Sequence, residues 1–554
     1  MFQNDFKAQA RKAVALFSLL LSTSLFNACS SNDAEETDPD SPIDQSPSNP
    51  ETDVTISGTV TFDFIPHRTT NSALNYLETQ ARAARGVTVQ LLDARGQLLR
   101  ETRSDESGAY SLGAPENTQV RVRVVAELER NDNADWQIRV ADNTDGNAIY
   151  AMSGSLTTSG NADSTRDLHA PSGWVDDEYN AERVAGPFAI LDAIYDALVL
   201  LEAADPNVSL EPAEIRWSTE NRAIDGELED GDIGTSFFHP GNGNIYLLGW
   251  ADNDTDEYDR SVIQHEFAHL IEHQIMRTDN IGGTHRTDDA LDMRVAFSEG
   301  WGNAFAGMAA NDPFYRDSGG PNQDLGFAIA LEEIETSLTG WFSEGSINNL
   351  LFDIFDTGDE SGDELALGFT PIYQAMTHAN FVESEAMLGL HVFVESLNGL
   401  LTLEQQTALS NMLAIHNITG EDAFGFAETN DASNADALPL YQVLDVGSTI
   451  ELCTNNTYGE WNKLANRRFI YLDAAAAETR TLTFDSNGRA APEIWIDIFQ
   501  RGEFVEGYLI EDSQVEVDFE APASGRYILE YYEEPNVDDN AMTGGRVCIN
   551  VSLD

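Results

Sequence analysis

Three residues in the segment Ser261-Val-Ile-Gln-His-Glu-Phe-Ala-His-Leu-Ile-Glu-His273 have the types and spacing of a metal-dependent hydrolase: His265, Glu266 and His269. The segment is helical by period and composition, and four residues make just over one helical turn. The two imidazoles therefore leave one face about 6 Å apart along the axis, close enough for their nitrogens to converge on one ion at about 2.0–2.1 Å. Glu266 projects beside that ion. There it can take the proton of a water activated by the metal as that water attacks a carbonyl carbon. Val262, Ile263, Phe267, Ala268, Leu270 and Ile271 supply the buried side of the helix.

A catalytic zinc needs a third protein ligand and one open position. Glu299, in Val295-Ala-Phe-Ser-Glu-Gly-Trp-Gly-Asn-Ala-Phe-Ala306, sits among small residues that let two helices approach closely. His285 and Asp292 compete with it from an irregular stretch. His273 lies one turn beyond His269 and could add a fourth ligand. Asp252, Asp254 and Asp256 alternate as in a calcium loop, although Glu257 stands where the EF-hand turn demands glycine. An acidic solvated loop explains them equally well.

The pair His-Glu-Phe-Ala-His and Ser-Glu-Gly-Trp-Gly-Asn resembles the gluzincin clan of zinc metallopeptidases. The metzincin alternative would require Gly and His where Glu272 and Ile275 stand. The gluzincin resemblance implies His265, His269 and Glu299 as zinc ligands and Glu266 as general base. It places Asn303 behind a ligand histidine, at a position where the clan carries aspartate. It also implies an oxyanion donor downstream, for which Tyr373 and His378 are candidates, and a strand at Asn244–Gly249 that lends its edge to an extended peptide. A wider stretch, roughly 180–380, is similar to predicted metallopeptidase lipoproteins of bacteria.

The elements that must position these groups divide the chain. The expected fold is multidomain α+β: an N-terminal β-sandwich, a central helix-rich, zincin-like metallopeptidase domain and a C-terminal β-sandwich. Short alternating strands with turn signals fill 54–165, where Gly86–Asp93 and Thr102–Tyr110 resemble the transthyretin-like regulatory domain of carboxypeptidases. Helical patterns recur over 175–435, at 187–202, 261–276, 295–310, 326–337, 347–355, 371–378 and 388–397. Strand patterns return over 440–554, which resembles a pre-peptidase C-terminal domain. Cys453 and Cys548 fall in the first and last strands of that tail, and a disulfide between them would contribute about 4–5 kcal/mol in the loop-entropy picture.

Lys7, Arg11 and Lys12 precede the apolar run 13–26, so residues 1–28 read as a signal peptide. Leu25-Phe-Asn-Ala-Cys29 resembles a bacterial lipobox, with Cys29 the lipidated residue and the odd one of three cysteines. Ser30 after it implies the outer membrane. Residues 29–53 are an acidic tether that cannot bury enough surface to fold. The chain of 554 residues carries 95 acidic against 30 basic side chains, a net charge of -65, which excludes nucleic-acid binding and points to a salt-adapted source. The expected function is zinc-dependent hydrolysis, in particular of peptide bonds in a polypeptide substrate outside the cytoplasm, with the membrane reached only through the lipid. The alternative is a catalytically silent adhesion lipoprotein with structural zinc, which would have no need of Glu266.

Overall fold

A computed structural model describes residues 53–334, 337–357, 365–490, 492–538 and 545–554. The signal peptide, Cys29 and the tether up to residue 52 lie outside the described residues. Among the described residues, no helix is long and apolar enough to cross a membrane.

The opening strand, Asp53–Phe64, alternates buried and open residues along its length, as a strand with one face on a core must. It pairs antiparallel with Ala109–Pro115 and with Gln80–Ala83. Beside it lies a ten-stranded sheet whose main path runs Phe237–His239, Asn244–Leu247, Ala213–Trp217, Asp135–Asp142, Gln119–Asn131, Val87–Asp93 and Leu98–Arg103. That order corrects the expected fold class. The described residues are β-rich, with 35% strand against 24% helix, and among them no separate helix-rich zincin domain stands between two sandwiches.

The physical reason lies in three short strands. Ala213–Trp217 pairs in parallel with Asp135–Asp142 and with Asn244–Leu247, so the N-terminal sheet continues into the segment expected to be helical. Strands of three to five residues carry too little alternation to register against the longer helical patterns around them. The helices Gly186–Ala204, Arg260–Ile275 and Met293–Ala310 form as the periodicity predicts, but the first two pack onto that sheet and the third packs on them. One apolar cluster joins Val54 and Ile138 to Ile263, Phe305 and Phe469. A further correction concerns the pattern expected to be helical at 326–337. Leu325–Ala330 is instead a strand, paired antiparallel with Phe314–Gly319.

Two more sheets close the C-terminal region. One has five strands, the other four, and their inner faces share a second apolar core that includes Leu452, Phe484, Ile496 and Leu529. Cys453 and Cys548 stand directly opposite each other in the four-stranded sheet and form a disulfide spanning 95 residues. This bond agrees with the sequence expectation and is consistent with an exported protein.

A buried charge network fastens this region to the helix Met293–Ala310. Arg294 donates to both oxygens of Glu530 at 2.8 and 3.0 Å and is also paired with Asp292, while Arg467 reaches Glu530 at 2.9 Å. Burial works against the charge on Glu530, yet the two arginines hold its carboxyl down at about 2. The folded state therefore binds fewer protons here than the unfolded chain. The stabilisation is complete above about pH 4.5 and is lost as the pH falls towards 2. Breaking the network with Glu530→Gln should cost roughly 3–5 kcal/mol in urea unfolding at neutral pH, since it strands buried guanidinium groups. The difference from the parent should shrink by about pH 3; a constant difference would contradict this account.

Candidate metal centre

The helix Arg260–Ile275 and the helix Met293–Ala310 cross at the site, and glycine sets how closely they do so. A Cβ on Gly302 would lie 2.7 Å from the His265 ring, so only glycine lets that ring lie against the second helix. His265, Glu266, Glu299 and Asn303 are all buried, and His269 is half-buried.

Each candidate ligand is fixed from behind. Asn303 Nδ2 donates to Glu344 Oε1 at 2.7 Å, which turns its carbonyl oxygen towards His265 Nδ1 at 2.9 Å. An amide oxygen only accepts, so Nδ1 carries the proton and Nε2 keeps its lone pair. His269 Nδ1 faces the Glu272 carboxylate at 3.5 Å and Ser298 Oγ at 3.3 Å, and Ser298 itself donates to Glu272 at 2.6 Å. The same reasoning leaves His269 Nε2 as a lone pair. Glu299 Oε1 accepts from Asn280 Nδ2 at 3.1 Å.

The three free donor atoms then converge. His265 Nε2 and His269 Nε2 are 3.1 Å apart, and Glu299 Oε2 is 3.3 Å from each. Two nitrogen lone pairs and a carboxylate oxygen at such separations repel one another unless a positive centre lies between them. An ion held tetrahedrally at about 2.0–2.1 Å has donor–donor edges of about 3.3–3.4 Å, so this set of two imidazoles and one carboxylate fits zinc in size and chemistry.

Glu266 lies beside this triangle. Its Oε2 accepts from the backbone N–H of Phe238 at 2.7 Å, and burial raises its pKa. Phe238 belongs to Phe237–His239, which ends the sheet path. The strand Asn244–Leu247, expected to offer a free edge, is an inner strand flanked on both sides. The edge next to the Glu266 carboxylate belongs to the shorter strand before it.

The remaining candidates separate clearly. His285 reaches the cluster, with Nε2 at 3.4 Å from Glu299 Oε2 and 3.7 Å from Glu344 Oε2. Asp292 does not join it; its side chain caps the helix Met293–Ala310 and pairs with Arg294. His273 is exposed and packs on Phe238, and His378 caps the short helix Ala379–Val382. Tyr373 donates to Asp205 at 3.2 Å, and among the described residues no hydrogen bond joins it to the cluster. The sequence reading missed Tyr315, whose ring meets His265 edge-on at 5.9 Å, and Glu344 behind Asn303. No motif marks either residue. Glu272, three positions after His269 on the same helix, was within reach of a spacing argument.

Asp254 and Asp256 do come together, and Asp259 and Asp317 complete a group whose oxygens all lie within 4.8 Å of one another. Asp252 stays exposed outside it, and Glu257 is spent on Arg183. The group is all-oxygen, the donor type that hard cations take.

No family model matches the chain, and no curated protein matches it in sequence. Solved structures similar to part of it include the pre-peptidase C-terminal domain of a collagenase from Bacillus anthracis, 13% identical over 21% of this chain and 94% of that one, with a TM-score of 0.16. A surface-associated copper-binding protein of Methylomicrobium album BG8 is 8% identical over 21% of this chain and 96% of its own, with a TM-score of 0.16. A periplasmic inhibitor of g-type lysozyme from Aeromonas hydrophila is 18% identical over 21% and 99%, with a TM-score of 0.14. TM-scores this low define no common overall fold.

Proposed function

We propose that this chain is an exported zinc-dependent hydrolase, a peptidase of the gluzincin kind acting on polypeptides outside the cytoplasm. One observation carries the reading: two imidazole lone pairs and one carboxylate oxygen meet within 3.1–3.3 Å of one another beside a buried fourth residue, Glu266, that is not one of the three. A purely structural zinc would close with four protein ligands and has no use for a base. Bound here, zinc would polarise the scissile carbonyl and make the attacking water more acidic.

The protein's own groups divide the remaining work. Glu266 takes the proton of the attacking water and passes it to the leaving amine, a role its raised pKa suits. The N–H of Phe238 fixes the orientation of that carboxylate. Tyr315, which burial keeps protonated, is the O–H donor that this reading assigns to the developing oxyanion in place of Tyr373. The sheet edge at Phe237–His239 is where an extended substrate would pair. A lipid on Cys29 would tether the enzyme to the outer membrane, and loss of membrane association in Cys29→Ala is the check on that part.

Glu266→Gln keeps the shape of the side chain and removes the base. The variant should bind zinc as the parent does while turnover of a generic protein substrate falls by several orders of magnitude. Hydrolysis at the parental rate would remove Glu266 from this role, and no hydrolysis by the parent itself would favour the adhesion reading.

A further inference from the structure

The stretch between the two site helices, residues 277–291, brings one donor and one imidazole to the third ligand. Asn280 Nδ2 reaches Oε1 of Glu299 at 3.1 Å, and His285 Nε2 lies 3.4 Å from Oε2. The loop thus fixes one oxygen of the carboxylate and lies against the other. A loop with this much glycine, Gly282 and Gly283 in succession, does not hold such a geometry by itself.

What holds it comes from the C-terminal region. Trp461 Nε1 and Asn462 Nδ2 both donate to Gly282 O, at 3.0 and 3.1 Å. The Trp461 ring lies so close to Gly283 that a Cβ there would be 2.3 Å from it. Lys463 Nζ donates to Thr284 O at 2.7 Å and to Asn462 Oδ1 at 2.6 Å, and pairs with Asp289 at 3.2 Å. The backbone completes the seam, with Asp292 N bonded to Asn462 O and Leu464 N to Ala290 O.

Two details single this seam out from ordinary packing. Lys463 is the one lysine beyond Lys12 in a chain that otherwise uses arginine for its positive charge. An ammonium can serve three acceptors arranged around a point, which a planar guanidinium cannot. Trp461 holds a backbone φ of 65°, a left-handed value that a bulky residue keeps only where its surroundings dictate it.

We infer that the C-terminal sandwich is a working part of the metal centre: its segment Trp461–Leu464 clamps the loop 277–291, and through Asn280 and His285 that clamp positions Glu299. This rests on the zinc reading above. Trp461 and Lys463 are positioning residues, acting on the ligand through the loop.

The test measures zinc release from the full chain to a chelator in Lys463→Met, Trp461→Phe, His265→Ala and Ile496→Val, alongside thermal unfolding. Trp461→Phe keeps an aromatic ring and removes the pyrrole part of the indole, with both the donor to Gly282 and the atoms that lie against Gly283. Ile496→Val loosens the second apolar core, away from the seam. The clamp predicts zinc release about tenfold faster or more in Lys463→Met and Trp461→Phe, the range seen when groups behind a ligand are lost, and parental release in Ile496→Val even at matched thermal stability. Parental release in both seam variants overturns the inference; if His265→Ala lacks zinc in the same assay, the zinc assignment survives. Release that merely follows thermal stability across all variants, Ile496→Val included, also overturns it.

Discussion

The structure around the site is organised by one electrostatic demand. Two imidazole nitrogens stripped of their protons and one carboxylate oxygen are held within 3.1–3.3 Å of each other in a largely buried place. Such a triangle is unfavourable without a cation. It persists because every member is pinned from behind: His265 by Asn303 and Glu344, His269 by Glu272 and Ser298, Glu299 by Asn280. The neutral amide at 303 is therefore less of a departure from a carboxylate than it looks in sequence, because Glu344 stands behind it.

That demand reaches far from the metal centre. The sheet begun in the N-terminal segment ends in Phe237–His239, whose backbone N–H orients Glu266. The hairpin from Phe314 to Ala330 brings Tyr315 to His265 and Asp317 to the four-aspartate group, which also contains Asp259 at the start of the HExxH helix. The C-terminal sandwich is locked to the second site helix by the buried Arg294–Glu530–Arg467 network. The segments read separately in the sequence are thus parts of one packed arrangement.

How much of this was legible follows from the range of each signal. The spacing of His265, Glu266 and His269 is a property of one helix, and a helix period is written locally. Glu299 needed a second helix, also written locally, plus small residues at the contact. Cys453 and Cys548 were readable by counting. The fold class was not, because short strands such as Ala213–Trp217 owe their place to partners 30 and 75 residues away and carry no period of their own. The stretch from Leu325 suffered the opposite error. Its run of Ala, Ile, Leu and Glu suits a helix, but pairing with Phe314–Gly319 decides its state. Tyr315, Glu344 and the Trp461–Lys463 seam depend on such long-range placement, and no motif announces them.

X-ray absorption at the zinc edge of the purified, zinc-loaded protein tests the central claim most directly, since it counts ligands without reference to activity. The account predicts four light-atom neighbours at about 2.0–2.1 Å, with outer-shell scattering from two imidazoles only, and no sulfur. Three or four imidazoles, a sulfur neighbour, or spectra unchanged in Glu299→Ala would contradict it.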